Sequence, residues 1–100
     1  MAETASSLRA RVDAQRDQIK SVVARHKGTS VALFGSVARG EETAASDLDF
    51  LVEFDRGASL FDLVRIEADL EELLECDVDV VSAGGLLPDD DDIRHDAVPL

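Results

Sequence analysis

Between residues 47 and 54 the chain reads Asp-Leu-Asp-Phe-Leu-Val-Glu-Phe, and this alternation constrains the fold more than any other feature. Successive side chains of an extended strand point to opposite faces. Leu48, Phe50, Val52 and Phe54 therefore share one face, and Asp47, Asp49, Leu51 and Glu53 the other. The first face needs cover, so the strand must lie in a sheet with apolar elements packed on it. The second face sets two carboxylates about 7 Å apart at their Cα atoms. Asp is a poor strand former, and like charges crowd one another. A divalent cation removes the conflict, since magnesium takes a few carboxylates together with phosphate oxygens. A solvent-facing edge, where charge discourages aggregation, is the competing explanation.

The flanking sequence supplies the cover. Leu8, Val12, Ile19, Val22 and Val23 recur at helical spacing and predict an amphipathic helix over residues 4–27, ending near Gly28. Residues 30–34 are short and apolar and stop at Gly35, as a buried strand does. Residues 35–40 read as a tight turn and a short helix between glycines, and 41–46 as a polar loop. Ser59 to Asp62 resembles a capping box. Leu60, Leu63, Ile66, Leu70, Leu73 and Leu74 then mark one face of a helix reaching about Glu75. Residues 77–82 carry Val78, Val80 and Val81 and predict a third strand. Pro88 and the acidic run 89–92 predict a final short helix through about Val98, stopped by Pro99. The fold class is α/β (α+β), one domain with a small mixed sheet packed with helices.

Composition limits the partners. The 100 residues carry a formal net charge of −12. The two lysines are Lys20 and Lys27. Nucleic-acid binding needs phosphate neutralisation by Lys and Arg, so no direct nucleic-acid partner is expected. A bound phosphate must instead be neutralised locally, by metal or by backbone N–H groups. The single cysteine, Cys76, cannot form an internal disulfide and reads as an inert thiol in a reducing compartment. The opening Met1-Ala2-Glu3-Thr4 lacks the layout of a signal peptide, and no apolar run is long enough to cross a bilayer. The expectation is a cytoplasmic protein with no membrane partner.

Two further features join the acidic strand. Gly35-Ser36 sits between a strand and a short helix, where glycine permits close backbone approach and N–H groups can hold phosphate oxygens. By itself that junction is better explained as a helix cap. Asp79 stands among valines in a strand predicted to be interior and needs a polar site or a metal. Asp77 has the same parity and is its rival. With the third strand beside the first acidic one, three carboxylates can surround two magnesium ions, spaced roughly 3.5–4 Å as in two-metal sites.

The run from Gly35 to Glu41, followed by Ser46-Asp47-Leu48-Asp49-Phe50-Leu51-Val52, resembles the signature of the DNA polymerase β-like nucleotidyltransferases. Within that superfamily it is similar to the minimal nucleotidyltransferase, or MNT, proteins. Val78-Asp79-Val80-Val81 stands where they carry a third carboxylate, and residues 93–100 resemble their C-terminal helix. The resemblance implies a single domain over residues 1–100, with an N-terminal helix over 1–28 and a catalytic core over 30–100. It implies that Asp47, Asp49 and Asp79 are the catalytic metal ligands for two Mg²⁺ ions. Gly35, Ser36, Arg39 and Ser46 are the candidate contacts to ATP as nucleotide donor. Arg39 is explained equally well as a solvated helix residue. Family members of this size are antitoxins paired with HEPN-domain RNase toxins, and some transfer AMP to a tyrosine of the toxin. The alternative is a non-catalytic antitoxin acting by steric contact. With no residues left for an acceptor-binding domain, the acceptor is expected on a partner or between subunits, in a homo-oligomer or a hetero-oligomer with the toxin. An acidic surface suits a basic partner. With no Tyr, the chain cannot modify itself on tyrosine.

Other polar residues have plainer explanations. His26 suits a helix C-terminus, where positive charge is favourable. His95 reads as surface, residues 89–92 as a helix start, and Glu53 as too far from the Gly35 turn to be a ligand.

Overall fold

The computed structural model describes residues 8–38, 47–85 and 97–100, with Ser36 and Gly85 described by their backbone alone. Helices α1 (Leu8–Ala14) and α2 (Arg16–Arg25) lead into strand β1 (Gly28–Phe34) and the one-turn helix α3 (Gly35–Ala38). Strand β2 (Leu48–Phe54), helix α4 (Leu60–Leu74) and strand β3 (Val78–Ser82) follow. A short 3₁₀ turn (Ala83–Gly85) and strand β4 (Val98–Pro99) complete the described elements. The strands form one mixed sheet in the order β3-β2-β1-β4. β1 is antiparallel to β2 and to β4, whereas β2 and β3 are parallel. Parallel neighbours need a crossover, and α4 supplies it.

The core lies on one face of this sheet. Val31 and Leu33 of β1, Leu48, Phe50 and Val52 of β2, and Val78 and Val80 of β3 are buried against Val12, Ile19, Val22 and Val23 of α1 and α2. Ile66, Leu70 and Leu74 of α4 complete it. The alternation in β2 thus buries the face predicted to be buried. Phe54 at the end of that face is only partly buried, and Leu51, which shares the acidic face, is still only 9% exposed.

The predicted helix over residues 4–27 is divided at Gln15, whose φ and ψ of −114° and 24° leave the helical region. Its N–H still bonds to the Arg11 carbonyl at 3.1 Å, so the hydrogen-bond ladder reaches the interruption unbroken. Residues 4–7 lie outside the described residues. The helix predicted to run through Val98, like the C-terminal helix expected over residues 93–100, is corrected at its end. Val98 and Pro99 are strand, paired with Leu33 and Ala32. The Leu100 N–H continues the ladder to the Val31 carbonyl at 3.1 Å. Proline cannot donate to a ladder, and Pro99 is accommodated because β4 is an edge. Pro88, the acidic run 89–92 and His95 lie outside the described residues.

The αβ crossover is held at both ends. The Ser59 N–H bonds to Asp62 Oδ2 at 2.9 Å, half of the predicted capping box. At the other end Glu75 takes a left-handed conformation (φ 57°), and Arg11 donates to the Leu74 carbonyl at 3.0 Å. Two carboxylates of α4 also reach the outer edge of β3. Glu71 Oε2 accepts the Val78 N–H at 3.2 Å and Glu67 Oε2 accepts the Val80 N–H at 3.1 Å. The edge strand therefore offers fewer open donors to another chain.

Candidate active site

The site is built where β1 ends and β2 and β3 begin. β1 runs into α3 through Gly35, which has φ +83°. Only glycine takes that conformation without strain. A second constraint coincides with it. A Cβ placed on Gly35 would collide with Asp49 Oδ2 and lie 3.2 Å from the Asp49 carboxyl carbon. The carboxylate thus occupies the space over the turn that any other residue would fill. Val37, 1% exposed, anchors α3 in the core and fixes the turn from its far side.

Asp49 sits opposite Phe34 in the antiparallel β1–β2 pair and opposite Asp79 in the parallel β2–β3 pair. Register partners on adjacent strands project to the same face, with strands about 4.8 Å apart. Asp79 is therefore beside Asp49 on the face away from the helical core, and it is exposed. Asp77, its rival in the sequence, precedes β3. The Leu48 N–H bonds to the Asp77 carbonyl at 3.1 Å, so the two chains already run side by side there. Asp47 and Asp77, both exposed, flank that end. The register gives Asp49 a partner in Asp79, and Asp47 a neighbouring chain at Asp77.

Cys76 is drawn into the same electrostatic neighbourhood. Burial pushes its thiol up from the ordinary value. The Arg11 guanidinium opposes that shift, and Asp77, Asp47 and Glu71 reinforce it. A raised thiol is a poor nucleophile at neutral pH, as the sequence suggested.

Among the described residues, no three His, Cys, Asp or Glu side chains converge closely enough to form a cation cage of their own. Magnesium does not require one, because it binds through one or two carboxylates with substrate phosphates and water completing its shell. The donors present, Asp47 and Asp49 beside a side-chain-free turn and Asp79 across the register, are of the type that fits it. Ser36 opens α3 directly after Gly35. Arg39 and Ser46 lie outside the described residues.

His26 has a role that sequence reasoning missed. It closes α2, as expected, but its Nε2 also lies 2.8 Å from Asp69 Oδ2 and ties α2 to α4. Nothing in the spacing of residues 26 and 69 announces that contact.

The parallel β-α-β unit carries a carboxylate on each strand, Asp49 and Asp79, beside the glycine turn that ends the antiparallel neighbour. The family model for the nucleotidyltransferase domain matches residues 16–96. The chain belongs to this family and is a nucleotidyltransferase. It is 42% identical over 71 residues to a Methanocaldococcus jannaschii protein provisionally named protein adenylyltransferase MJ0435, covering 71% of this chain and 76% of that one. A solved structure described provisionally as a minimal nucleotidyltransferase is 44% identical with a TM-score of 0.81, covering 89% of this chain and 92% of the other. A crystal structure of a toxin–antitoxin with AMP-PNP shares the fold at a TM-score of 0.61 and 23% identity, covering 71% of this chain and 59% of that one. No helix among the described residues is long and apolar enough to cross a membrane.

Proposed function

We propose that this nucleotidyltransferase transfers AMP from ATP to a tyrosine hydroxyl of a HEPN-type RNase toxin and so acts as its antitoxin. The observation that carries the reading is the placement of Asp49 over Gly35 and beside Asp79. The similarity to a protein adenylyltransferase favours a protein acceptor, and the fold shared with a toxin–antitoxin holding AMP-PNP favours an adenine nucleotide and a toxin partner.

In this reading Asp47 and Asp49 would hold magnesium, which would supply charge neutralisation for the triphosphate and its α-phosphoryl group. Gly35 and Ser36 let the triphosphate approach the backbone, with Arg39 and Ser46 as further contacts. The acceptor oxygen bonds to the α-phosphorus, the bond to the bridging oxygen breaks, and pyrophosphate leaves. The hydroxyl proton passes to Asp79. Its position suits that task, because β3 is an edge strand and Asp79 is exposed where a hydroxyl from outside can approach. The surplus of 12 negative charges favours a basic partner over nucleic acid.

The test is incubation of the protein with ATP, Mg²⁺ and the toxin encoded beside it, followed by intact-mass analysis of the toxin. A gain of one AMP is expected. Asp47→Ala and Asp49→Ala should each abolish it, and Asp79→Asn should slow it roughly 10²–10⁴-fold, the range for loss of a proton acceptor. Full labelling by both alanine variants would reject the site. If Asp47→Ala/Asp49→Ala still protects cells at full strength, neutralisation is steric and not enzymatic.

A further inference from the structure

Arg11 is half-buried on α1, next to the fully buried Val12. Its Nη1 donates to the Leu74 carbonyl at 3.0 Å, across 63 residues of chain. The last carbonyls of a helix lack partners within it, and a cation there also meets the negative end of the helix dipole. A basic residue in the last turn of α4 could serve that end locally, but that turn has none. The donor comes instead from α1, which also packs on α3, the helix that Gly35 opens. α1 therefore touches the elements on both sides of the site: the helix after the glycine turn and the end of the crossover before β3.

The second contact bears on Asp47. That residue lies just ahead of β2, outside the ladder. It is placed by the first bond between the two chains, from the Leu48 N–H to the Asp77 carbonyl at 3.1 Å. Asp77 closes the short link over residues 75–77 between α4 and β3, in which Glu75 is left-handed. So short a link has little slack, and a shift at the Leu74 carbonyl is passed on to Asp77 and from there to Leu48. Glu71 holds the far end of the link through the Val78 N–H at 3.2 Å, from within the same β-α-β unit. Arg11 holds the near end from outside that unit. The Cys76 thiol in the middle of the link senses Arg11, Asp77 and Asp47 together, so the guanidinium and both carboxylates stand around one residue.

We infer that Arg11 is a positioning residue of the nucleotidyl-transfer site: by holding the Leu74 carbonyl it fixes the 75–77 link and the Leu48–Asp77 bond, and through them Asp47. This rests on the reading of Asp47 as a ligand of the magnesium–nucleotide complex above, and it extends the site to α1. The test compares wild type with Arg11→Met, which keeps an apolar stem and loses the donor, and with Arg11→Lys, which keeps a donor and the charge. Amide exchange followed by NMR reads the local effect. In Arg11→Met the Leu48 amide should accelerate about tenfold more than the core amides of Leu33 and Phe50, as a local opening does. Calorimetry with ATP and Mg²⁺, without any toxin, reads the effect on the site. The Kd for ATP should weaken at least fivefold in Arg11→Met, and Arg11→Lys should recover most of both changes. If Arg11→Met does not fold, Arg11→Gln is read by the same two measures. A helix cap that only stabilises would accelerate all three amides alike and leave the Kd of the folded chain unchanged, and that result overturns the inference. So does an Arg11→Lys variant no better than Arg11→Met. If wild type binds no ATP in Mg²⁺, the reading of the site fails, and Leu48 exchange with its recovery by lysine alone decides whether Arg11 positions Asp47.

Discussion

Among the described residues, Gly35 meets two separate demands on residue identity. Its positive φ and the Asp49 carboxylate over it exclude a side chain for independent reasons. Gly35→Ala should cost about 1–3 kcal/mol in backbone strain and repositioning of Asp49. In a domain this small that lowers the melting temperature by roughly 4–8 °C per kcal/mol, measurable by calorimetry. AMP transfer should fall more steeply than stability, because the displaced group is a proposed ligand. Cys76 gives a pH prediction. Its thiol is raised in the folded chain, so the unfolded chain ionises first. Between the unfolded value of about 8.5 and the higher folded one, the native state holds more protons, and stability falls as pH rises. Below about pH 8 the group contributes no slope. Cys76→Ser should flatten the alkaline limb of a melting-temperature profile, and native alkylation should lag that of the denatured chain. The place of Asp49 on the face opposite the core was legible from alternation, as was the oddity of Asp79 among valines, whereas the strand predicted from Asp47 begins one residue later and leaves Asp47 just ahead of it. Which of Asp77 and Asp79 stands opposite Asp49 was not, because parity is shared and only the β2–β3 register pairs Asp79 with it.

At the level of elements, α4 acts as more than a crossover. Its Glu67 and Glu71 accept N–H groups that β3 would otherwise offer at the edge of the sheet. Glu67→Ala/Glu71→Ala should destabilise by about 1–3 kcal/mol in total, the cost of stranding partly buried donors. The same variant should aggregate at lower concentration in light scattering. Glu67→Gln/Glu71→Gln keeps an oxygen acceptor at each position and should recover most of the loss. The Ser59 and Asp62 pattern could be read in advance because capping is local and has a fixed spacing. The glutamates could not, since a charged residue on a helix says nothing of the strand it will meet. The end of the chain was misread for a related reason. Val98 and Pro99 pair with β1, about 65 residues earlier, and no short-range pattern signals so distant a partner.

Over the whole molecule, charge is the quantity that responds to solution conditions. An excess of 12 negative charges in 100 residues repels itself within one compact domain. Raising salt from about 0.05 to 0.5 M shortens the screening length from roughly 14 to 4 Å, which should raise the melting temperature. A flat or falling curve would show that specific ion pairs outweigh the general repulsion. The described pairs give little reason to expect that. Arg9 and Arg16 approach Asp13 at 3.5 and 3.4 Å with partly exposed side chains, where ion pairs contribute little. His26 and Asp69 are closer and join two helices across the core face.

The reach of Glu67 and Glu71 also sets a rule for how the chain tolerates length changes. One residue added to α4 ahead of Glu67 rotates everything after it by about 100°. Relative to the start of the helix, both carboxylates would then leave the strand together with Leu70 and Leu74. The loop over residues 55–58 carries no such phase, so insertions should be accepted there and rejected one turn later.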